Sequence, residues 1–494
     1  MTVSLMPGSP IRARVGRRCW RAAALAAAGA CVVAGPGAMA DADEGPAAPR
    51  SAQATLPEAD CPSSLPSGTT CYSGRQKSGS YYWIAVPEDW DGDLVVHAHG
   101  GPGLGEADPE RSLDDLDRWS VMVEEGFAWA GTSYRRGGYG AQMAATDTEQ
   151  LRRLFVRAFG EPETTLLHGQ SWGGNVAAKG LEMYGQGQSG SYDGALLTNG
   201  VLAGGTRGYD YRLDIRVVYQ YYCGNHPRPD EPQYALWRGL PEDSAMTTEG
   251  LEQRVQECTG YQSPPAERTA AQRTAMSNIL SVIRIPEETL FSHMKFATFT
   301  FRDIVNERLG EKNPFSNVGV RYDGSDDDRA LNRGVARYWP NWSARRDLSF
   351  DSDLTGHVST PILTLHAIDD PTAFVEHESA YRATLEGART ADNLVQTFTT
   401  EDEHSSLSDS EYAAAIGSLR DWVKADERPS PSSMASACAD EDAVHGEGCF
   451  IDPDYRPQSY FDRVRPRPGF TNWPAITRKQ YWWWERLGNV GIDY

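Results

Sequence analysis

The chain has 494 residues, of which 40% are apolar, 10% aromatic and 23% charged, with a formal net charge of −21. This length and composition exclude wholesale disorder and a collagen-like repeat, and predict one large domain with insertions or a few smaller units. The acidic balance argues against a nucleic-acid partner, because phosphate binding requires a positive face.

Residues 1–40 read as an export signal. Arg12, Arg14, Arg17, Arg18 and Arg21 form a positive segment, an Ala-rich apolar run follows from Ala22 to Ala34, and Ala38-Met39-Ala40 precedes Asp41 as a small-x-small cleavage pattern. The run is short and is broken by Gly35 and Pro36, which disfavours a membrane anchor. A secreted protein with no membrane attachment after signal removal is expected. Residues 41–60 read as a flexible leader, with order beginning near Cys61. Six cysteines remain: Cys61, Cys71, Cys223, Cys258, Cys438 and Cys449. An even count after an export signal predicts disulfides, and the preferred pairing is local: Cys61–Cys71, Cys223–Cys258 and Cys438–Cys449. Other connectivities are formally open.

Strands are predicted over Tyr81–Pro87, Asp93–Ala98, Phe127–Ser133, Thr164–His168 and Gly194–Asn199, alternating with helical patterns. The alternation pauses after Gly205 and resumes at Pro361–Leu365 and Asn393–Phe398, followed by a helix through Tyr412, Ile416, Leu419 and Trp422. Such alternation predicts a mostly parallel sheet with helices on both faces. The domain reading is a leader with a disulfide over 41–75, a core over 76–205 and 358–427, an insertion over 206–357, and a small C-terminal extension over 428–494. Arg428-Pro429-Ser430-Pro431-Ser432-Ser433 reads as the linker to that extension, which carries Trp482-Trp483-Trp484. Adjacent tryptophans cannot share one flat face, so packing onto the core is preferred over a polymer-binding platform.

Gly169-Gln170-Ser171-Trp172-Gly173 lies between a predicted strand and a predicted helix. A serine on such a bend needs small neighbours, and its hydroxyl needs a base oriented by an acid. Ser171 is the candidate nucleophile. His99-Gly100-Gly101-Pro102-Gly103 ends an early strand, where glycines let the backbone approach a developing oxyanion. The backbone N–H groups of Gly101 and Trp172 are the candidate oxyanion donors. His97-x-His99 reads as structural, because no third ligand stands at a useful spacing for a metal. No dinucleotide fingerprint or P-loop is present, and no cofactor is expected.

Together, His99-Gly100-Gly101-Pro102-Gly103 and Gly169-Gln170-Ser171-Trp172-Gly173-Gly174 resemble the α/β-hydrolase superfamily. They are similar to the prolyl aminopeptidase branch and to secreted actinobacterial aminopeptidases. That branch usually carries Asp-Gln-Arg-Gly after the next strand, where this chain has Ser133-Tyr134-Arg135-Arg136-Gly137-Gly138. The resemblance implies an α/β-hydrolase fold, a lid over 206–357, and an acid after a late strand. Asp370 in His366-Ala367-Ile368-Asp369-Asp370-Pro371 fits, with Asp369 as its competitor. His404, after the last strand, is the candidate base, while His377 has a helical setting that suits the surface. Lid aromatics such as Tyr209, Tyr211, Tyr219, Tyr221, Tyr222, Tyr234 and Trp237 either line a substrate pocket or pack the lid, packing being the better expectation for any one of them. The expected activity is hydrolysis of a carboxylic ester, with an aminopeptidase as runner-up that would call on Glu242, Asp243 and Glu249 to hold a substrate ammonium. A binding protein without catalysis is the third reading, and the partner is a small ester or peptide substrate.

Overall fold

The computed structural model describes residues 55–187 and 190–467. The export-signal stretch and Trp482–Trp484 lie outside them. Nine strands form one sheet: β1 (Glu58–Ala59), β2 (Thr70–Arg75), β3 (Tyr81–Val86), β4 (Asp93–Ala98), β5 (Ala128–Thr132), β6 (Thr164–Gln170), β7 (Gly194–Thr198), β8 (Ile362–Ala367) and β9 (Leu394–Thr399). Their spatial order is β1-β2-β3-β5-β4-β6-β7-β8-β9. The first three strands pair antiparallel, as does β3 with β5, and all later pairs are parallel. The parallel strands are buried along their whole length. That explains why they read as continuous apolar runs rather than as an alternation.

Successive residues feed two cores. Leu94, Val96 and Leu167 pack on one face of the sheet, and Val95, Leu166 and Leu196 on the other. Helices α1 (Arg111–Arg118) and α2 (Val121–Glu124) cover the second face, while α3 (Ala141–Phe159) and α4 (Trp172–Tyr184) cover the first. Between β7 and β8 the chain builds the insertion: α5 (Gly205–Cys223), α6 (Thr248–Thr259), α7 (Ala270–Ile283), α8 (Leu290–Lys295), α9 (Asp328–Gly334) and α10 (Trp342–Ser352). Two π-helical turns, Phe296–Thr300 and Asp303–Arg308, follow α8. Then α11 (Glu376–Ala388) returns to the first face, and α12 (Asp409–Ala425) and α13 (Pro431–His445) to the second, before the short α14 (Tyr460–Arg463). This mostly parallel sheet, with helices on both faces and an insertion before its last two strands, is the expected α/β-hydrolase fold.

The three local cysteine pairs are bonded, with Cα–Cα separations of 5.3, 5.5 and 5.6 Å in chain order. Two expectations fail. Order begins before Cys61, because Leu56 is buried and β1 pairs with β2; β2 is largely polar and gave no strand signal. The Pro/Ser stretch is not a linker: Ser430 caps α13 and Pro431 takes its first turn, where a missing N–H costs nothing. Met434 and Cys438 on α13 are buried in the second core.

Candidate active site

Order in the sheet reverses at β4, whose neighbours are β5 on one side and β6 on the other. A crevice at the carboxyl ends of the strands is expected at such a switch point. The glycine loop leaves β4 there and Ser171 follows β6. Ala98 and Gly169 are paired across the two strands, so the two motifs emerge side by side.

Ser171 sits at φ 58°, in a conformation that costs a non-glycine residue on the order of 1–3 kcal/mol. Its backbone is locked by bonds from Ser171 N–H to the Thr198 carbonyl (3.0 Å) and from the Gly174 and Val201 N–H groups to the Ser171 carbonyl (3.0 and 2.9 Å). A Cβ on Gly169 would strike the Gly173 carbonyl, and one on Gly173 would strike the Ala98 carbonyl. The elbow therefore needs glycine at both positions for reasons of space.

The three candidate side chains meet in one hydrogen-bonded chain. His404 Nε2 lies 2.8 Å from Ser171 Oγ, and His404 Nδ1 lies 2.7 and 2.9 Å from the two Asp370 carboxylate oxygens. Asp370 is buried and Asp369 exposed, which separates the two competitors. Asp370 also accepts from the Thr372 and Ala373 N–H groups (2.7 and 2.8 Å), which fixes its carboxylate plane. Of the acidic neighbours of His404, Asp402 and Glu403 are exposed and Glu401 accepts from the Ser408 N–H.

Sequence reasoning missed the side chains that hold His404 in place. Gln170 Nε2 and Asn199 Nδ2 both donate to the His404 carbonyl (2.7 and 2.8 Å), and Asn199 Oδ1 accepts from the Ala367 N–H. Gln170 is the variable position of the elbow motif and Asn199 directly follows β7, so neither carried a signal. Beneath Asp370, His366 is buried between Glu378 Oε1 (3.2 Å) and the Ala373 carbonyl (2.7 Å). Burial alone would lower the His366 imidazolium pKa, but Glu378, with Asp370 and the Ala373 carbonyl, offsets it and the pKa is raised. His377 is not at the surface: it is buried on α11 and its Nδ1 accepts from the Ala203 N–H (3.0 Å). His293, from α8, is buried too, and burial with Arg212, Arg463 and His404 close by depresses its pKa to about 3.

Gly101, Ser171 and Trp172 line one cavity of about 30 Å³, closed over by Tyr139, Tyr209 and Phe296. Neither the Gly101 nor the Trp172 N–H is engaged by a protein acceptor among the described residues. Of the lid aromatics singled out above, only Tyr209 reaches this cavity. Tyr211 and Tyr219 are buried in packing, and Tyr221, Tyr222, Tyr234 and Trp237 are half-buried. Glu242, Asp243 and Glu249 are exposed and do not line it.

The His97-x-His99 pair does acquire a third group, because α1 brings Asp115 to it. Asp115 Oδ2 is 2.5 Å from His99 Nδ1 and 3.4 Å from His97 Nε2, and His97 Nδ1 is 2.9 Å from His168 Nδ1. Burial would raise the Asp115 carboxyl pKa, but His99 and His97 hold it well below the usual range. These are the right groups for a metal, yet Asp115 and His99 are hydrogen-bonded to each other, and an ion would have to break that bond. As it stands the cluster anchors the glycine loop, helped by the Tyr134 hydroxyl donating to the His99 carbonyl (2.8 Å).

No protein-family model matches the chain. A curated relative, an o-phthalyl amidase of Xanthobacter agilis, is 30% identical over 107 residues, which are 21% of this chain and 22% of that protein. The chain thus matches about a fifth of the length of that relative. Among solved structures, feruloyl esterase B of Aspergillus oryzae is 12% identical with a TM-score of 0.35, covering 73% of this chain and 82% of its own. An acylaminoacyl peptidase of Pyrococcus horikoshii is 13% identical with a TM-score of 0.32, covering 73% and 40%. At these scores the solved structures add nothing to what the strand order already says of the fold.

Proposed function

We propose that the protein is an exported serine hydrolase that cleaves a carboxylic ester through an acyl-enzyme on Ser171. The observation that carries this reading is the unbroken chain Ser171–His404–Asp370, with 2.8 and 2.7 Å links, on a strand-to-helix elbow. A serine hydroxyl becomes nucleophilic when a neutral imidazole takes its proton and a buried carboxylate stabilises the resulting imidazolium. Ser171 Oγ attacks the substrate carbonyl carbon while His404 Nε2 takes the hydroxyl proton. The Gly101 and Trp172 N–H groups receive the oxyanion. The tetrahedral adduct collapses, the leaving oxygen departs with the proton from His404, and the acyl group stays on Ser171. Water then repeats the sequence with His404 as base, releasing the acid and restoring Ser171. All three groups are present and linked, which favours an enzyme over a binding protein on the same scaffold.

Amide cleavage is the second reading, favoured by the short match to a relative named as an amidase. The aminopeptidase form of it draws less support, since the cavity at Ser171 has no carboxylate in its wall to receive an ammonium. Export is supported by the three disulfides, which persist in oxidising compartments; among the described residues no helix is long and apolar enough to cross a membrane. The test compares p-nitrophenyl esters with aminoacyl and tripeptidyl nitroanilides in the wild type and Ser171→Ala. Ester turnover lost in the variant, with nitroanilides inert, is the expected result. Efficient nitroanilide turnover through Ser171 would replace the ester reading with a peptidase.

A further inference from the structure

The cavity wall at Ser171 contains one charged side chain, Arg212, from the lid helix α5. Several lid arginines meet a carboxylate, as Arg254 does Glu231, Arg308 Asp303 and Arg345 Asp210, and others, such as Arg302 and Arg337, are held by two backbone carbonyls each. Among the described residues no carboxylate lies within 4.0 Å of Arg212, and its wall of the cavity holds none. Its guanidinium instead lies over the rings of Phe296 (4.8 Å) and Tyr209 (5.5 Å), both in the same wall. Nη1 makes one bond, to the Gly208 carbonyl at 3.2 Å, and Nε is buried without a partner. Arg216, another lid arginine without a carboxylate, is fully buried and faces the Tyr234 hydroxyl, outside this wall.

Leaving a cation half-buried and unpaired is costly, and a guanidinium offers five donors in a flat fork that fits a carboxylate. Stacking on two aromatic faces orients that fork before anything binds. Resting on the serine-hydrolase reading above, we infer that Arg212 is a specificity-determining residue and that the substrate carries a carboxylate close to the scissile carbonyl, as in the half-ester or half-amide of a short dicarboxylic acid. The cavity of about 30 Å³ has room for about a water molecule or two, so the acyl group displaces the Phe296 face as it enters. The ion pair formed with Arg212 offsets that displacement, and a neutral acyl group gains no such compensation.

A rival anion site lies next door. A cavity of about 380 Å³ shares Pro102 and Trp172 with the first, and Arg111 and Arg136 line it together with Glu106 and Asp108. The experiment separates the two. Values of kcat/KM for p-nitrophenyl hemisuccinate and for p-nitrophenyl butyrate, acyl groups of equal chain length, are measured for wild type, Arg212→Met, Arg212→Lys and Arg136→Met. The expected wild-type preference for the hemisuccinate is tenfold or more. It falls at least tenfold in Arg212→Met, chiefly through KM, is partly kept by Arg212→Lys, and survives in Arg136→Met. An absent preference, or one lost in Arg136→Met and kept in Arg212→Met, overturns the assignment. Should Arg212→Met fail to fold, wild-type inhibition decides: glutarate should compete with the hemisuccinate and glutaramide should not, and equal inhibition by both is the contrary result. Ser171→Ala keeps the two readings apart. If both esters still turn over in it, the serine mechanism has failed; if both stop but the wild type shows no preference, only the carboxylate has.

Discussion

The sheet core and the lid hold themselves together by different means. In the core, β4, β6, β7 and β8 are buried end to end and pack mostly with Leu, Val, Ile and Ala. The lid also has an apolar centre, but its joints are buried charges. Arg345 clasps Asp210 with two bonds of 2.9 and 2.8 Å. Arg467 in the C-terminal extension reaches Asp214 and the Asp210 carbonyl. Asp353 accepts from Thr206 and Ser349 at the base of the lid. The candidate triad stands on the apolar scaffold and the candidate specificity residue on the charged one. The candidate chemistry is thus mounted on an apolar sheet, and the candidate selection on an insertion joined by buried charge pairs.

The largest expected effect breaks this division on the core side. His404→Gln should lower kcat on an activated ester by about 10⁴-fold or more, with the urea midpoint little changed. Its opposite is a lid variant. Asp210→Asn leaves Arg345 buried without its charge partner, and Arg467 with Asp214 alone, and should cost about 3–5 kcal/mol in urea unfolding, while the folded fraction keeps its kcat. A large kcat loss in that variant, at full folding, would mean that lid and chemistry are not separable.

The same contrast decides what could be read from the sequence. Seven strands announced themselves within a residue or two of their ends, because runs such as Leu94-Val95-Val96 have no other use. Ser171 stood out on its elbow after β6, and Asp370 and His404 after β8 and β9 through the family resemblance. The polar β2 was invisible, and Pro431 misled because proline marks a helix start as readily as a linker. Asp115, Gln170, Asn199 and Arg212 gave no local signal. Gln170 and Asn199 reach His404 across 234 and 205 residues, and Asp115 meets His99, and Arg212 Phe296, only once the chain is folded. The Arg345–Asp210 pair, 135 residues apart, is the same case in the lid.

A smaller effect sharpens the core side. Gln170→Leu removes one of the two donors that hold the His404 carbonyl, and kcat should fall about tenfold, as loss of one hydrogen bond implies. KM should stay nearly constant. The smallest effect is in the pH dependence of stability, where both regions contribute. Burial raises the Glu411 carboxyl to about 7 in the core and the Asp353 carboxyl to about 6 at the base of the lid. Each acid keeps its proton in the folded state over a range where the unfolded chain has lost it, so the folded state binds more protons and stability declines as pH rises. For Glu411 the window runs from 4.5 to about 7, with a slope of roughly 1 kcal/mol per pH unit. Glu411→Gln should flatten the urea-midpoint profile across that window; an unchanged profile would show that Glu411 does not titrate there.

The most direct measurement is covalent. Purified protein is treated with a p-nitrophenyl alkyl phosphonate at neutral pH, and the intact mass and peptide map are read. One adduct should form, on the peptide bearing Ser171, in step with loss of esterase activity. It should be absent from Ser171→Ala and strongly slowed in His404→Gln. Ester hydrolysis that persists in Ser171→Ala, or an inactivating adduct on any other residue, would contradict a nucleophile at the elbow.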